Sequence, residues 1–219
     1  AEARGLAMID ASLMPSFADY DRDGDLDLFV LTYRYYRPGG RPAKRPIVMR
    51  NGRPKILPGF EKYYDLRRVG PSDWTVDTCG RPDRLFRNDG TGHFTDVSES
   101  AGITEKGHGL SATWWDHDRD GWIDLYVAND FTDPEHLYHN NGDGTFTDVL
   151  EQTMPHTSWS SMGADCADLN NDGLLDLFVA DMAATTHYKS KVTMGDMGGR
   201  RWFLENAWPR QAMRNNLFL

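Results

Sequence analysis

A chain of 219 residues can bury a core, as one domain or as part of a larger one, and its composition is that of a soluble protein. The net charge of −9 offers no sign of a nucleic-acid partner, and no apolar run approaches the length of a membrane span. Nothing at the start resembles a signal peptide, yet the first residue is Ala and not Met. We therefore expect a trimmed chain, extracellular or periplasmic, whose export signal has been removed or lies outside it.

In chain order, the run Leu13 to Ala18 leads as a predicted strand into Asp19-Tyr-Asp21-Arg-Asp23-Gly24-Asp25-Leu-Asp27. The skeleton recurs as Asp116-His-Asp118-Arg-Asp120-Gly121-Trp122-Ile-Asp124 and as Asp168-Leu-Asn170-Asn-Asp172-Gly173-Leu174-Leu-Asp176. Each copy offers oxygen side chains at positions 1, 3, 5 and 9 and a glycine at position 6, the pattern by which a short loop wraps a hard cation. Without a cation the acidic side chains of each loop would repel one another. The glycine permits a positive φ, so that the position 7 carbonyl of Asp25, Trp122 or Leu174 can also face the ion. A single copy would read equally as a polar hairpin turn, whereas three filled copies point to metal.

Position 12 separates this loop from an EF-hand, which needs a bidentate Glu there. Here it is Val30, Val127 or Val179. The residues after each glycine alternate: Leu26/Leu28/Val30, Ile123/Leu125/Val127 and Leu175/Leu177/Val179 share one face at period two, so the loop should join two strands.

Residues 33–78 carry eleven Lys/Arg against four Asp/Glu and are rich in Tyr, Pro and Gly. Such a basic, aromatic segment could contact nucleic acid or an acidic polysaccharide. The plainer alternative is an insertion with local order, whose arginines pair with the acidic loops and whose tyrosines cover neighbouring strands. Cys79 lies in irregular sequence. Cys166 aligns with Phe17 and Trp114 of the other copies, which favours a buried thiol over a disulfide with Cys79.

A second unit, Asp83-Arg-Leu85-Phe86-Arg-Asn88-Asp89-Gly90-Thr-Gly92-His-Phe94, recurs as Glu135-His-Leu137-Tyr138-His-Asn140-Asn141-Gly142-Asp143-Gly144-Thr-Phe146. Its glycines predict a hairpin turn, with Asp89 and Asp143 as turn residues. Strand, metal loop, strand, variable loop and hairpin make one four-stranded unit. Asp116 to Asp168 is a spacing of 52 residues, the period expected of a β-propeller blade.

We therefore expect an all-β chain of about three blades in an incomplete propeller. The blades would span about 1–100 including the insertion 33–78, about 108–152, and about 158–219, the last cut short after a loop from 181 leads to Asn215–Leu219. Missing blades of the same parent chain would cover the end sheets.

With these residues in hand, the chain resembles the FG-GAP/VCBS repeat proteins, whose blades carry such loops as in the integrin α-subunit propeller. It is most similar to the cartilage acidic protein family, whose members pair such blades with an ASPIC/UnbV domain. The likeness implies Ca²⁺, about three ions, on the side chains of Asp19, Asp21, Asp23 and Asp27, of Asp116, Asp118, Asp120 and Asp124, and of Asp168, Asn170, Asp172 and Asp176. The neutral Asn170 should weaken the third site.

The function expected is a calcium-dependent, secreted binding or adhesion module for a protein or glycan partner. The alternative is a polysaccharide-active lyase or glycosidase with its site on the loop rims. Its candidates are His108, His136, His139, His156 and His187 with Asp130, Asp133 and Asp181, among which the sequence fixes no acid/base pair. A third reading makes residues 33–78 an electrostatic reader of nucleic acid or anionic glycan.

Overall fold

The computed structural model describes residues 1–8, 12–130, 133–182, 186 and 201–219. Each acidic loop of the sequence joins two antiparallel strands. In the first unit β1 (Ser12–Ala18) enters the loop and β2 (Asp27–Thr32) leaves it, with Ala18 opposite Asp27.

The chain then departs into the insertion. Two hairpins form there, β3 (Ile47–Arg50) with β4 (Arg53–Ile56), and β5 (Tyr64–Arg68) with β6 (Trp74–Thr78). Between β3 and β4, Asn51 and Gly52 both take positive φ, the twist that lets a two-residue turn close a hairpin. Amide pairs at the base, Tyr35 to Cys79 and Arg81 to Tyr33, return the chain beside its point of departure. The expected local order is present.

After the short β7 (Arg81–Pro82), β8 (Arg84–Asn88) and β9 (Phe94–Asp96) complete the order β1-β2-β8-β9. A two-residue strand, β10 (Lys106–Gly107), pairs with β7. The second unit repeats the first as β11 (Gly109–Trp115), β12 (Asp124–Asn129), β13 (His136–Asn140) and β14 (Phe146–Asp148). A one-turn helix α1 (Leu150–Thr153) and β15 (His156–Ser158) lead to the third unit. There β16 (Ser161–Ala167) and β17 (Asp176–Asp181) adopt the same plan. The helix α2 (Arg201–Asn206) stands where the sequence reads as loop. Then β18 (Arg210–Ala212) pairs in parallel with β15, and β19 (Asn216–Phe218) joins β17. Each unit's first strand carries a register shift at the same place, after Ser12, Gly109 and Ser161.

The second strands explain the stacking. Leu125 and Val127 of β12 meet Phe29 and Leu31 of β2 in one core, while Tyr126 and Ala128 meet Leu177 and Val179 of β17 in another. Alternate residues of one strand thus bury against different sheets, so β12 is buried along both faces. Leu125 and Val127 each contribute about 2 kcal/mol by leaving water. The face anticipated at Leu28 and Val30 lies with Phe86 under Leu6 and Met8. Phe178, equivalent to Phe29 and Tyr126, is 40% exposed on the outer face of the third sheet.

Both cysteines are free. The expected burial at Cys166 is only partial, because its strand edge lies beside the second core without being enclosed by it; Cys79 is the buried thiol. Burial still pushes the Cys166 thiol up to about 12, with the neighbouring Asp165 charge adding to the shift.

Candidate metal centre

The three loops share one backbone design. The amide of position 5 donates to the side chain of position 3 in Asp23–Asp21, Asp120–Asp118 and Asp172–Asn170. The position 6 glycine amide donates to position 1, at 3.2 Å from Gly24 to Asp19, 3.0 Å from Gly121 to Asp116 and 3.0 Å from Gly173 to Asp168. The amides of Asp25, Trp122 and Leu174 return to the position 5 carboxylates. Position 4 takes a positive φ at Arg22, Arg119 and Asn171, and the glycine does so two residues later. The result is a tight coil with its acids gathered on one side.

Position 9 is different in kind. Asp27, Asp124 and Asp176 are buried, and each takes the position 2 amide on Oδ2. In two units the other oxygen accepts a third-strand amide at 2.8 Å, from Asn88 or Asn140. The ninth residue therefore fastens the loop to its sheet as well as facing it. Burial pushes Asp27 up to about 6 against the pull of its amide donors. Asp124 is also raised by burial, but hydrogen bonds from the His117 ring and from the Asn140 and His117 amides hold it below the ordinary value.

A hard cation suits these oxygens. Asp19, Asp21 and Asp27 bring carboxylate oxygens within 4.8 Å of one another, as do Asp116, Asp118 and Asp120. Asp19 Oδ1 and Asp116 Oδ1 are buried without a hydrogen-bond partner, a costly state that a cation would relieve. The third loop is more self-contained. Asn170 Nδ2 donates to Asp172 Oδ2 at 3.0 Å, and Asp168 Oδ1 accepts the Asp172 amide. The first two loops are neighbours along one edge: Arg22 lies 4.5 Å over the Trp122 ring, and Asn140 Nδ2 donates to the Tyr20 carbonyl.

Asp89 and Asp143 fold back on Thr91 and Thr145 as turn residues. Of the histidines and acids set apart in the sequence, His108, Asp130, Asp133 and Asp181 converge at the base of the insertion. His108 Nδ1 meets Asp133, which Arg67 of β5 also grips, while His108 Nε2 lies 3.1 Å from Thr78 Oγ1. Tyr33 packs edge-on to His108 and reaches Asp130, which takes the Ser160 hydroxyl; Asp181 takes the amides of Trp159 and Ser160. Both ring nitrogens of His108 are thus engaged, and the network fastens the insertion to the sheets. Arg67 reaches Asp133 where the sequence suggested the acidic loops. His136 pairs with Asp148, His139 faces the second loop, His156 packs on Phe218, and His187 lies outside the described residues.

Sequence reasoning assigned no role to Asp83 and Glu135, which share a repeat position. Asp83 Oδ1 takes the Thr32 amide at 2.7 Å, and Glu135 accepts the Tyr126 and Ser161 hydroxyls. Burial raises each to about 7. Their recurrence was the available signal.

Two adjoining cavities of 210 and 360 Å³ open in the insertion, sharing Arg34, Arg41, Tyr64 and Thr78. Arg37, Lys44 and Arg45 add positive charge to their walls.

A family model described as an FG-GAP-like repeat matches residues 74–127 and 116–179, so the second loop lies in both matches and the third in one. The chain is 32% identical over 139 residues to cartilage acidic protein 1 of Xenopus tropicalis, covering 57% of this chain and 21% of that protein. It is 28% identical over 206 residues to the Homo sapiens protein of that name, covering 83% of this chain and 30% of the relative. The chain spans about a third or less of the length of these relatives.

Proposed function

Because the chain is an FG-GAP repeat protein related to the cartilage acidic protein family, we propose that it is an extracellular, calcium-organised propeller module that binds a protein or glycan partner. The observation that carries the calcium reading is the shared loop coil, with orphaned carboxylate oxygens at Asp19 and Asp116. Asp21, Asp23 and Asp27 would complete the first site, Asp118, Asp120 and Asp124 the second, and Asp168, Asn170, Asp172 and Asp176 the third. The position 7 carbonyls of Asp25, Trp122 and Leu174 are the remaining candidate donors. Calcium would neutralise each acidic cluster and lock the hairpin between two strands. Each site at a hundred times its dissociation constant adds about 2.7 kcal/mol to folding stability.

Recognition falls to the insertion in this reading. Its cavities combine guanidinium groups with tyrosine faces, a combination suited to an acidic saccharide or an acidic protein loop. Calorimetric titration of EDTA-stripped protein should give about three calcium ions and a higher melting temperature in calcium. Identical melting in EDTA and calcium would refute the structural role. Arg34→Ala with Arg41→Ala should abolish salt-sensitive retention on an immobilised acidic glycan while leaving melting unchanged.

A further inference from the structure

Among the described residues, the second loop differs from the other two in having imidazoles beside it. At position 2 the first loop has Tyr20 and the third Leu169, where the second has His117. On the third strand the register places His139 where the first unit has Arg87. His117, Asp118, Asp124 and His139 each offer a ligand atom, all within 4.8 Å of one another.

We propose that this second blade holds a mixed nitrogen and oxygen site for a divalent transition metal of the zinc type, alternative to calcium at that blade. His139 Nδ1 is buried without a hydrogen-bond partner. It lies 3.3 Å from Asp124 Oδ1 and 3.6 Å from Asp118 Oδ2. An ion with ligands at about 2.1 Å in tetrahedral array spaces them about 3.4 Å apart. The second imidazole is close, with ring centroids 5.7 Å apart, and His117 Nδ1 is 2.6 Å from Asp124 Oδ2. Imidazole suits zinc, cobalt and nickel, whereas calcium selects oxygen. Asp118 and Asp124 belong to both ligand sets, so one ion opposes the other in this blade.

The inference rests on reading the second loop as a cation site, and the two can fail separately. EDTA-stripped full chain is titrated with Co²⁺ and, independently, with Ca²⁺. The expectation is one cobalt ion with a visible d–d band and paramagnetically shifted imidazole proton resonances. His139→Gln and His117→Gln should each weaken cobalt at least about tenfold. Calcium binding by the first and third loops should persist in both variants, which also shows that they fold. Cobalt affinity within twofold of the parent in both variants, or no shifted imidazole resonance, overturns the proposal even where calcium binds. Histidine-dependent cobalt binding without any calcium binding supports it and overturns the calcium reading instead.

Discussion

The amide of Asn140 donates to Asp124 Oδ1 at 2.8 Å, tying the ninth residue of the second loop to the third strand of its own sheet. The His117 amide holds the other oxygen at 2.9 Å. Asp124 therefore has a role in the sheet that Asp118, half exposed in the loop, does not share. Asp124→Ala should destabilise the chain by about 2 to 5 kcal/mol in EDTA as well as in calcium, since the buried Asn140 amide and the half-buried His117 amide lose their acceptor. Asp118→Ala should destabilise only in calcium. Urea unfolding under both conditions checks the contrast, and equal losses for Asp118→Ala in both would contradict it.

Glu135 offers a pH test away from the loops. Its folded pKa is raised to about 7 from 4.5 by burial, opposed by the Ser161 and Tyr126 hydroxyls. The folded state thus binds the proton more tightly than the unfolded one. The associated stability is full below about pH 4.5 and is lost as pH rises through about 7, in total roughly 3 kcal/mol. Glu135→Gln cannot ionise. At saturating calcium, its stability relative to the parent should improve from pH 5 to about pH 7 and level off above that; a difference independent of pH would refute the assignment.

Arg67 and Asp133 fasten the insertion. Asp133 is 1% exposed, so Arg67→Ala leaves a buried carboxylate with His108 as its remaining partner. A loss of about 3 kcal/mol is expected. Limited proteolysis should then cut within residues 33–78 sooner than in the parent, while calcium stoichiometry stays the same.

Leu125 is wholly buried between the first two sheets. Leu125→Ala should cost about 3 kcal/mol by removing buried methyl groups and leaving a cavity. Because the residue serves both sheets, hydrogen exchange should quicken in β2 and β12 together, and a change confined to β12 would count against stacked blades.

Much of the fold was legible in the residues because strand alternation, the glycine at position 6 and the Asn-Gly turns are local matters. A φ that only glycine or a few polar residues adopt marks a turn without knowledge of the rest of the chain. The loop boundaries, the strands beside them and the two repeated units come from such signals, as does the reading of Asp89 and Asp143 as turn residues. Cys166 shows the limit: its alignment with Phe17 and Trp114 implied burial, but exposure depends on where the neighbouring sheet ends.

Tertiary structure decided what the local pattern left open. That β12 is buried on both faces comes from two neighbouring sheets, so no alternation within Leu125 to Ala128 could foretell it. The meeting of Arg67 with Asp133, 66 residues apart, depends on where the insertion folds back. The same holds for His117 and His139, which neither motif joins. Sequence alone determined the three acidic coils, since their spacing fixes which oxygens can face a common point. Only the third strand, brought alongside by long-range pairing, determined that Asp27 and Asp124 also anchor the sheet and that, among the described residues, the second coil has the imidazole of His139 beside it.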